Sequence, residues 1–446
     1  MTDRTERVPS AFRLNLEQQK NRAKDLLRAA KAADSAVLRR FAAAHNSHLA
    51  PNQAAASLKL ADAQLVIARE LRFASWAKLK AHIALMDRQR TAIEQNYSAP
   101  DGEMKTLHIR CGSDIQKTLQ DAGFVGDFLE HAIPYCMGPV TSGSDRHELM
   151  ARFIVEAFPD AKGDRLYERE LKGLAGGEQR LRRTADGYER IVLWAEHDVW
   201  DQLFLARMLA HYAQEKRPRV LELIAVNEFP GSERFLGLGQ LPPEALRLLW
   251  SARTPVTDAQ LLLGNNVWTA LASDNPQRLA TFARFGTPAL PIMAPALHRH
   301  LRELPSVKNG FSLTEHLVLQ ILSEGSTTLN RVFLMMTTGD PLSRSDQRAA
   351  ERVREPLRWI GDLGMLHVVN EMLKAEVPVL VRTPPAAGER WFRQRLTITD
   401  AGLAVLRGEQ DWHSLKPPPR WVGGVHVQPG LLGWRWNEAN QEAVHV

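Results

Sequence analysis

Apolar residues recur at helical spacing from early in the chain. Leu16, Ala23, Leu26 and Leu27, then Leu38, Phe41 and Ala42, predict helix with little interruption over residues 14–90. Asn46, Ser47 and Pro51 break the pattern between His45 and Gln53, and a second helix is expected from about Ala54 to Glu70. Ser75 can accept a backbone N–H through its hydroxyl, so it is the expected N-cap of a third helix over Trp76–Met86. Asn96 to Glu103, with Ser98, Pro100 and Gly102, then reads as a linker.

Beyond the linker the period shortens. Leu107–Cys111 is strand-like, followed by Gly112-Ser113-Asp114 and a helix over Ile115–Ala122. A second strand is expected over Asp127–Tyr135. Helical segments broken by Gly173, Gly176 and Gly177 reach about Arg183. Ile191–Ala195 is a continuous apolar strand running into Glu196-His197-Asp198. The helix Val199–Gln214 leads to a further strand, Val220–Val226. Strands alternating with helices of this length predict an α/β domain with a mostly parallel, Rossmann-like sheet.

From Pro242 to about Arg302, prolines separate short helices. The order changes again after Ser312. Helices Leu313–Ser323, Thr328–Met336 and Asp346–Asp362 precede strand-like runs at Leu366–Val369, Val377–Arg382 and Trp391–Ile398, then a helix over Asp400–Arg407. Three helices, a hairpin with a polar turn (Pro384–Glu389) and a last helix resemble a winged helix-turn-helix. The expected organisation is a basic helical module (1–97), the α/β domain (105–230), a helical extension (231–311), a winged-helix-like domain (312–410) and an irregular tail rich in Trp, Gly and Pro (411–446).

Composition adds bounds. Of the 446 residues, 44% are hydrophobic and 24% charged, which fits a globular chain. No run approaches the ~18 apolar residues of a membrane span, and Met1–Arg7 has no apolar core behind its charges, so neither a membrane partner nor a secretory signal is expected. Two cysteines, Cys111 and Cys136, suit buried reduced thiols and a cytoplasmic location. The net charge of +6 is uneven. Residues 1–97 hold 17 Lys and Arg against 9 Asp and Glu, a surplus of eight, which leaves the remainder at minus two. A basic first segment suits nucleic acid or an acidic protein partner, or is simply a solvated helical surface.

Several segments carry a family likeness. At Leu107–Asp114, Glu196–Asp201 and Gly237-Leu238-Gly239-Gln240-Leu241 the chain resembles a bacterial family of unassigned function, domain-of-unknown-function family eighteen-thirty-five, joined to its C-terminal companion thirty-six-fifty-eight. The likeness continues through Arg253–Thr257, Leu304-Pro305-Ser306, Arg420–Val425 and Trp434-Arg435-Trp436, covering most of residues 105–446. Asn437 departs from it, standing where that family would have an acidic residue. Leu60–Gln64, Ala68-Arg69-Glu70 and Phe73–Trp76 are similar to a helical module found before bacterial ankyrin repeats. No period of about 33 residues recurs, so the repeats themselves are not expected. Neither resemblance implies a substrate or cofactor.

Candidate chemistry follows from topology, since ligands of open α/β sheets sit beyond the carboxyl ends of the strands. Asp114 follows the first strand, and Glu196, His197 and Asp198 follow the later one. If those strands are neighbours, the four could meet in one crevice as a cation site or general base, with Gly112, Ser113 and Asp201 as binding residues. The competing reading is that Asp114 and Asp198 cap helices and Asp201 favours a helix's positive end. The turn lacks the G-x-G-x-x-G and G-x-x-x-x-G-K-[ST] patterns of dinucleotide and P-loop sites. His298-Arg299-His300 could suggest a metal, but residues two apart do not share a helix face, and surface histidines are expected. The rival site is nucleic-acid contact through Arg348, Arg352, Arg354 and Arg358 of the expected third helix, with Arg390, Arg393 and Arg395 on the wing. Glu351, Glu355 and Asp362 on that helix, and Pro356 interrupting it, weigh against it.

Overall fold

Residues 12–45, 57–158, 166–232, 235–338 and 360–446 are described by the computed structural model. The chain divides into two units. The first contains Met1–Glu130, Tyr188–Glu196 and Glu222–Pro255; the second contains His131–Gly187, His197–Leu221 and Val256–Val446.

The first unit is built on a five-stranded sheet of order β2-β1-β3-β4-β5, formed by Asp127–Glu130 (β2), Thr106–Arg110 (β1), Arg190–Glu196 (β3), Val220–Val226 (β4) and Thr254–Pro255 (β5). Strand β1 pairs in parallel with both β2 and β3, while β5 is antiparallel to β4. Every residue of β1 and β3 is buried, as a continuous apolar run in a parallel sheet requires. Ile115, Leu119, Phe124, Trp194 and Ile224 form its core with Trp250. The expected strand over Asp127–Tyr135 ends at Glu130.

Helices Leu16–Lys31, Ser35–His45, Leu60–Glu70 and Trp76–Glu94 in the same unit bury Leu26, Val66, Ile67, Leu79 and Ile83. Ser75 accepts a hydrogen bond from the Lys78 amide at 3.3 Å, capping the last of these. That helix runs two turns past Met86. Arg90 on its extension reaches the buried carboxylate of Glu244 at 3.2 Å, which Arg13 also meets at 2.7 Å. Burial opposes the charge on Glu244, but the two guanidinium groups more than offset it and hold the carboxyl below its ordinary range.

In the second unit, helix Val199–Gln214 is buried almost all round and packs on Asp258–Leu271. A Cβ at Gly264 would collide with the Leu209 side chain, so the close crossing of these helices requires glycine there. Helix Leu166–Gly187 corrects the expected interruption. It passes through Gly173, Gly176 and Gly177 unbroken, because Leu174, Leu181 and Thr184 give it a buried face that offsets about 1 kcal/mol per glycine.

Further along, helix Leu313–Ser323, the short strand Thr327–Thr328 (β6), helix Leu329–Thr338 and helix Asp362–Leu373 precede the strands Leu380–Thr383 (β7) and Arg395–Ile398 (β8) and the helix Asp400–Arg407. The three strands form an antiparallel sheet of order β6-β8-β7. The expected strand at Leu366–Val369 is helical instead. Met365, Val369 and Met372 recur at spacings of four and three and line one buried face, a period that a four-residue apolar window cannot show. Of the expected strand Trp391–Ile398, residues Trp391–Arg393 form a 3-10 turn. The expected helix Asp346–Asp362 lies outside the described residues up to position 359. The tail is not irregular: Arg420–Val422 (β9) pairs with Val425–Val427 (β10), and Trp434–Asn437 (β11) with Glu442–His445 (β12), as two antiparallel hairpins. No helix among the described residues is long and apolar enough to cross a membrane.

His298-Arg299-His300 also differs from expectation. Helix Met293–Leu301 is enclosed on nearly all sides, leaving Arg299 and His300 only 2% and 1% exposed. Arg299 donates to Glu303 at 2.6 Å and Thr314 at 2.9 Å, whereas neither ring nitrogen of His300 has a hydrogen-bond partner among the described residues. Burial lowers the His300 ring pKa to about 4, and burial with the Arg207 charge lowers that of His211 to about 4. Unfolded rings bind protons as the pH falls through about 6.5, while the folded rings stay neutral down to about 4. The unfolded state therefore binds more protons in that window, and stability that is complete above it declines as the pH falls. Urea denaturation at pH 7 and pH 5 should show a loss on the order of 2 kcal/mol for each ring, and equal stabilities would refute this.

Candidate functional site

Strands β1 and β3 are neighbours in parallel register, with Thr106 opposite Arg190 and Ile109 opposite Leu193, so their carboxyl ends lie side by side. There Arg110, 3% exposed, ends β1. Its guanidinium donates to Asp114 Oδ1 at 2.9 Å and Oδ2 at 3.1 Å, and to Glu196 Oε1 at the end of β3. The Leu238 amide donates to the same Glu196 oxygen at 2.6 Å. Gly237 and Gly239 let the backbone close in, for a Cβ at Gly237 would strike the Glu196 carboxylate and one at Gly239 would lie 3.0 Å from Asp114 Oδ2. Asp114 and Glu196 are thus brought together, as the topology predicts, but around a buried guanidinium. Gly112 and Ser113 form the turn, and Asp114 does not cap: the following helix begins at Gln116 with Ile115 before it.

The chain passes from the first unit to the second between Glu196 and His197. Asp198 is the N-cap of helix Val199–Gln214 and accepts from the Asp201 amide at 2.9 Å. Asp201 is buried in the first turn of that helix, and His197 is half-buried. Arg348, Arg352, Arg354 and Arg358 lie outside the described residues. Arg390, Arg393 and Arg395 are exposed on and beside the hairpin of β7 and β8.

Two groups of residues escaped the sequence reading. In the first unit, the Trp194 indole N–H donates to His108 Nδ1 at 3.1 Å, and His108 Nε2 meets Asp101 Oδ2 at 3.1 Å. An indole nitrogen can only donate, so the ring proton of His108 sits on Nε2 and is given to Asp101. Asp101 also accepts from the amides of Val125 and Gly126 at 3.0 and 2.7 Å. Burial disfavours its charge, but these donors prevail and keep the carboxyl below its ordinary range. None of the three side chains is more than 1% exposed, so the chain of hydrogen bonds is sealed from any ligand and fastens β1, β3 and the preceding loop together.

The second group lines a cleft of about 1590 Å³ that lies wholly within the second unit. One wall comes from three helices: Arg146 and His147 from Arg146–Ala157, Glu178 and Arg182 from Leu166–Gly187, and Arg207 from Val199–Gln214. Glu178 accepts from Arg146 at 2.9 Å, from Arg182 at 3.0 Å and faces His147 Nε2 at 2.8 Å. Burial works against its ionisation, yet Arg146 and its neighbours outweigh this and hold its carboxyl below the ordinary range. Arg207, half-buried, lies over the Trp268 ring at 5.5 Å and forms no ion pair with any described residue. Beside it, Tyr135 and His131 share a hydrogen bond of 2.9 Å. Burial pushes the Tyr135 hydroxyl up to about 12, partly countered by the Arg207 charge, and lowers the His131 ring to about 3.

Another part of the lining comes from the tail hairpins. Trp421 faces His426 across β9 and β10, and the rings stack at 4.3 Å and 13°. Trp434 meets His445 across β11 and β12 edge to face at 5.1 Å. The hydrogen bond from the Val140 amide to the Gly423 carbonyl, 2.9 Å, ties a lining loop to the β9–β10 turn. The lining residues run from His131 to Val446, and no local motif marks them; the only signal was the recurrence of tryptophan after Asp411.

No known family model matches this chain, and no curated protein matches it. The geometry at the strand ends makes its own prediction. Glu196→Gln removes the charge opposite a buried guanidinium and should cost about 3 kcal/mol, whereas Asp114→Asn, at a carboxylate 39% exposed, should cost under about 1 kcal/mol. Urea denaturation of the two variants checks this, and equal losses would contradict the arrangement.

Proposed function

We propose that this chain is a ligand-binding regulatory protein whose second unit takes an organic anion in its cleft. One observation carries the reading: Arg207 presents a half-buried guanidinium to the cleft with no ion pair to any described residue, among three arginines that share one glutamate, Glu178. A partly desolvated cation of this kind favours an incoming anion, because the charge interaction is screened less than at an open surface. The strand-end cluster is less suited to ligand, since Arg110 is already held by two carboxylates and covered by Gly237-Leu238-Gly239. The likeness to the family of unassigned function remains part of this proposal. It is supported by the meeting of Asp114, Glu196 and the Gly237–Leu241 segment at one place. Calorimetric titration with pyrophosphate and citrate should show binding that Arg207→Ala weakens at least tenfold, in line with about 1.5–3 kcal/mol for a hydrogen bond to a charged group. Absence of heat with every anion, or equal binding by the variant, would overturn the reading.

A second reading, nucleic-acid contact by a winged-helix-like segment at 312–410, rests on the sheet β6-β8-β7 and the surface beside it. Arg382, Arg390, Arg393 and Arg395 are exposed there with Glu389 the one acidic residue between β7 and β8. Phosphate contacts from such arginines position a duplex without reading its sequence. Duplex DNA affinity should fall steeply with salt, and combined alanine replacement of Arg390, Arg393 and Arg395 should flatten the log–log slope by up to about three. An unchanged slope, or no binding at low salt, would remove this reading.

A further inference from the structure

We propose that the anion taken by the cleft also carries an aromatic base: its ligand is a nucleoside phosphate, with the phosphate on Arg207 and the base on Trp421. This rests on the anion-binding reading above and deepens it. The two walls of the cleft differ in chemistry. The helical wall supplies Arg146, Arg182 and Arg207, whose guanidinium groups match phosphate oxygens in geometry as well as charge. Of the three, Arg207 is the one without an ion pair to a described carboxylate, although its charge still acts on Glu178 and its guanidinium on the Tyr135 hydroxyl. Trp268 fixes its place, taking the guanidinium over its ring at 5.5 Å while Tyr135 packs against its edge at 4.9 Å. With those contacts made, Trp268 serves the cation.

The tail wall supplies the ring surface. Trp421 and His426 are cross-strand partners on a short hairpin, stacked nearly parallel at 13°. Both line the cleft, and Trp421 is half-buried, so the stack covers one face of the indole with His426 and leaves its other face for a ligand. An aromatic face and three arginines lining one cleft offer what a base and its phosphate need at once, because stacking accepts any base while the arginines take the charge. A ligand with only an anionic group would leave the Trp421 face unused, and a neutral aromatic would leave Arg207 without an ion-pair partner among the described residues. The cleft, at about 1590 Å³, exceeds the usual ~300–1,000 Å³ of a small-molecule site. The same chemistry could therefore be offered by a free nucleotide or by the end of a single strand.

The experiment titrates the full chain calorimetrically with AMP, adenosine, inorganic pyrophosphate and a tetranucleotide. AMP is expected to bind at least tenfold tighter than adenosine and than pyrophosphate. Arg207→Ala should bring AMP down to the level of adenosine, and Trp421→Ala should bring it down to that of pyrophosphate. Trp421→Phe, which keeps a ring on the hairpin, should stay within threefold of the parent, so an unfolded alanine variant does not leave the question open. A tetranucleotide that binds tighter than AMP identifies a strand as the source, and one that binds no tighter identifies the free nucleotide. Pyrophosphate bound as tightly as AMP, or AMP affinity untouched by both Trp421 variants, overturns the nucleoside phosphate while leaving an anion site. If no anion binds at all, the anion reading itself falls.

Discussion

A guanidinium taken out of water needs acceptors for its donors, and Arg110, 3% exposed, imposes that demand where β1 ends. Removing such a charge from solvent costs several kcal/mol unless its donors are satisfied. The surrounding chain is arranged accordingly: the turn after β1 must return Asp114 to its side, β3 must end on Glu196, and a distant loop must bring the Leu238 amide to Glu196. Glycine at 237 and 239 then follows from lack of room, not from a need for unusual backbone angles. Three stretches far apart in the sequence are in this way held to one point, and the register of β1 against β3 is fixed at its carboxyl end. The buried hydrogen bonds from Trp194 through His108 to Asp101 reach from the middle of the same two strands to the preceding loop, so β1 is clamped twice along its length.

Much of this was legible where local pattern decides structure. Helix Val199–Gln214 and strand Val220–Val226 have the ends that periodicity assigns, and Ser75 caps the helix it precedes. Local pattern misled where burial from all sides erased the contrast between faces. Leu366–Val369 looks like a strand because its helical partners Met365 and Met372 fall at or beyond the window's edge. His300 reads as a surface residue until its helix is enclosed by packing that includes the Gly423 turn. The glycines of Leu166–Gly187 read as breaks, but tertiary packing overrides propensity when a helix has a buried stripe.

The functional residues divide along the same line. Asp114 and Glu196 could be paired from topology alone, because adjacent parallel strands place their ends together. What topology could not supply was Arg110, which looks like one more residue of a strand and changes an acidic crevice into a neutralised knot. The cleft was illegible for a different reason. Arg146, Arg182 and Arg207 come from three helices, and Trp421 and Trp434 from two hairpins over two hundred residues later, so no local window of sequence joins them. The cross-strand pairings of Trp421 with His426 and of Trp434 with His445 reveal that the tail lines the cleft.

The indole of Trp194 has one more consequence. Its N–H is bonded to His108, fully enclosed, and placed in the middle of β3 between the two strands that pair with it. Solvent deuterium cannot reach that hydrogen through a fluctuation of the surface or of one loop, since Asp101, His108 and the strand pairing must all come apart first. The exchange rate of this single hydrogen therefore reports on the opening of the sheet around β1 and β3, and not on the separate core of the N-terminal helices.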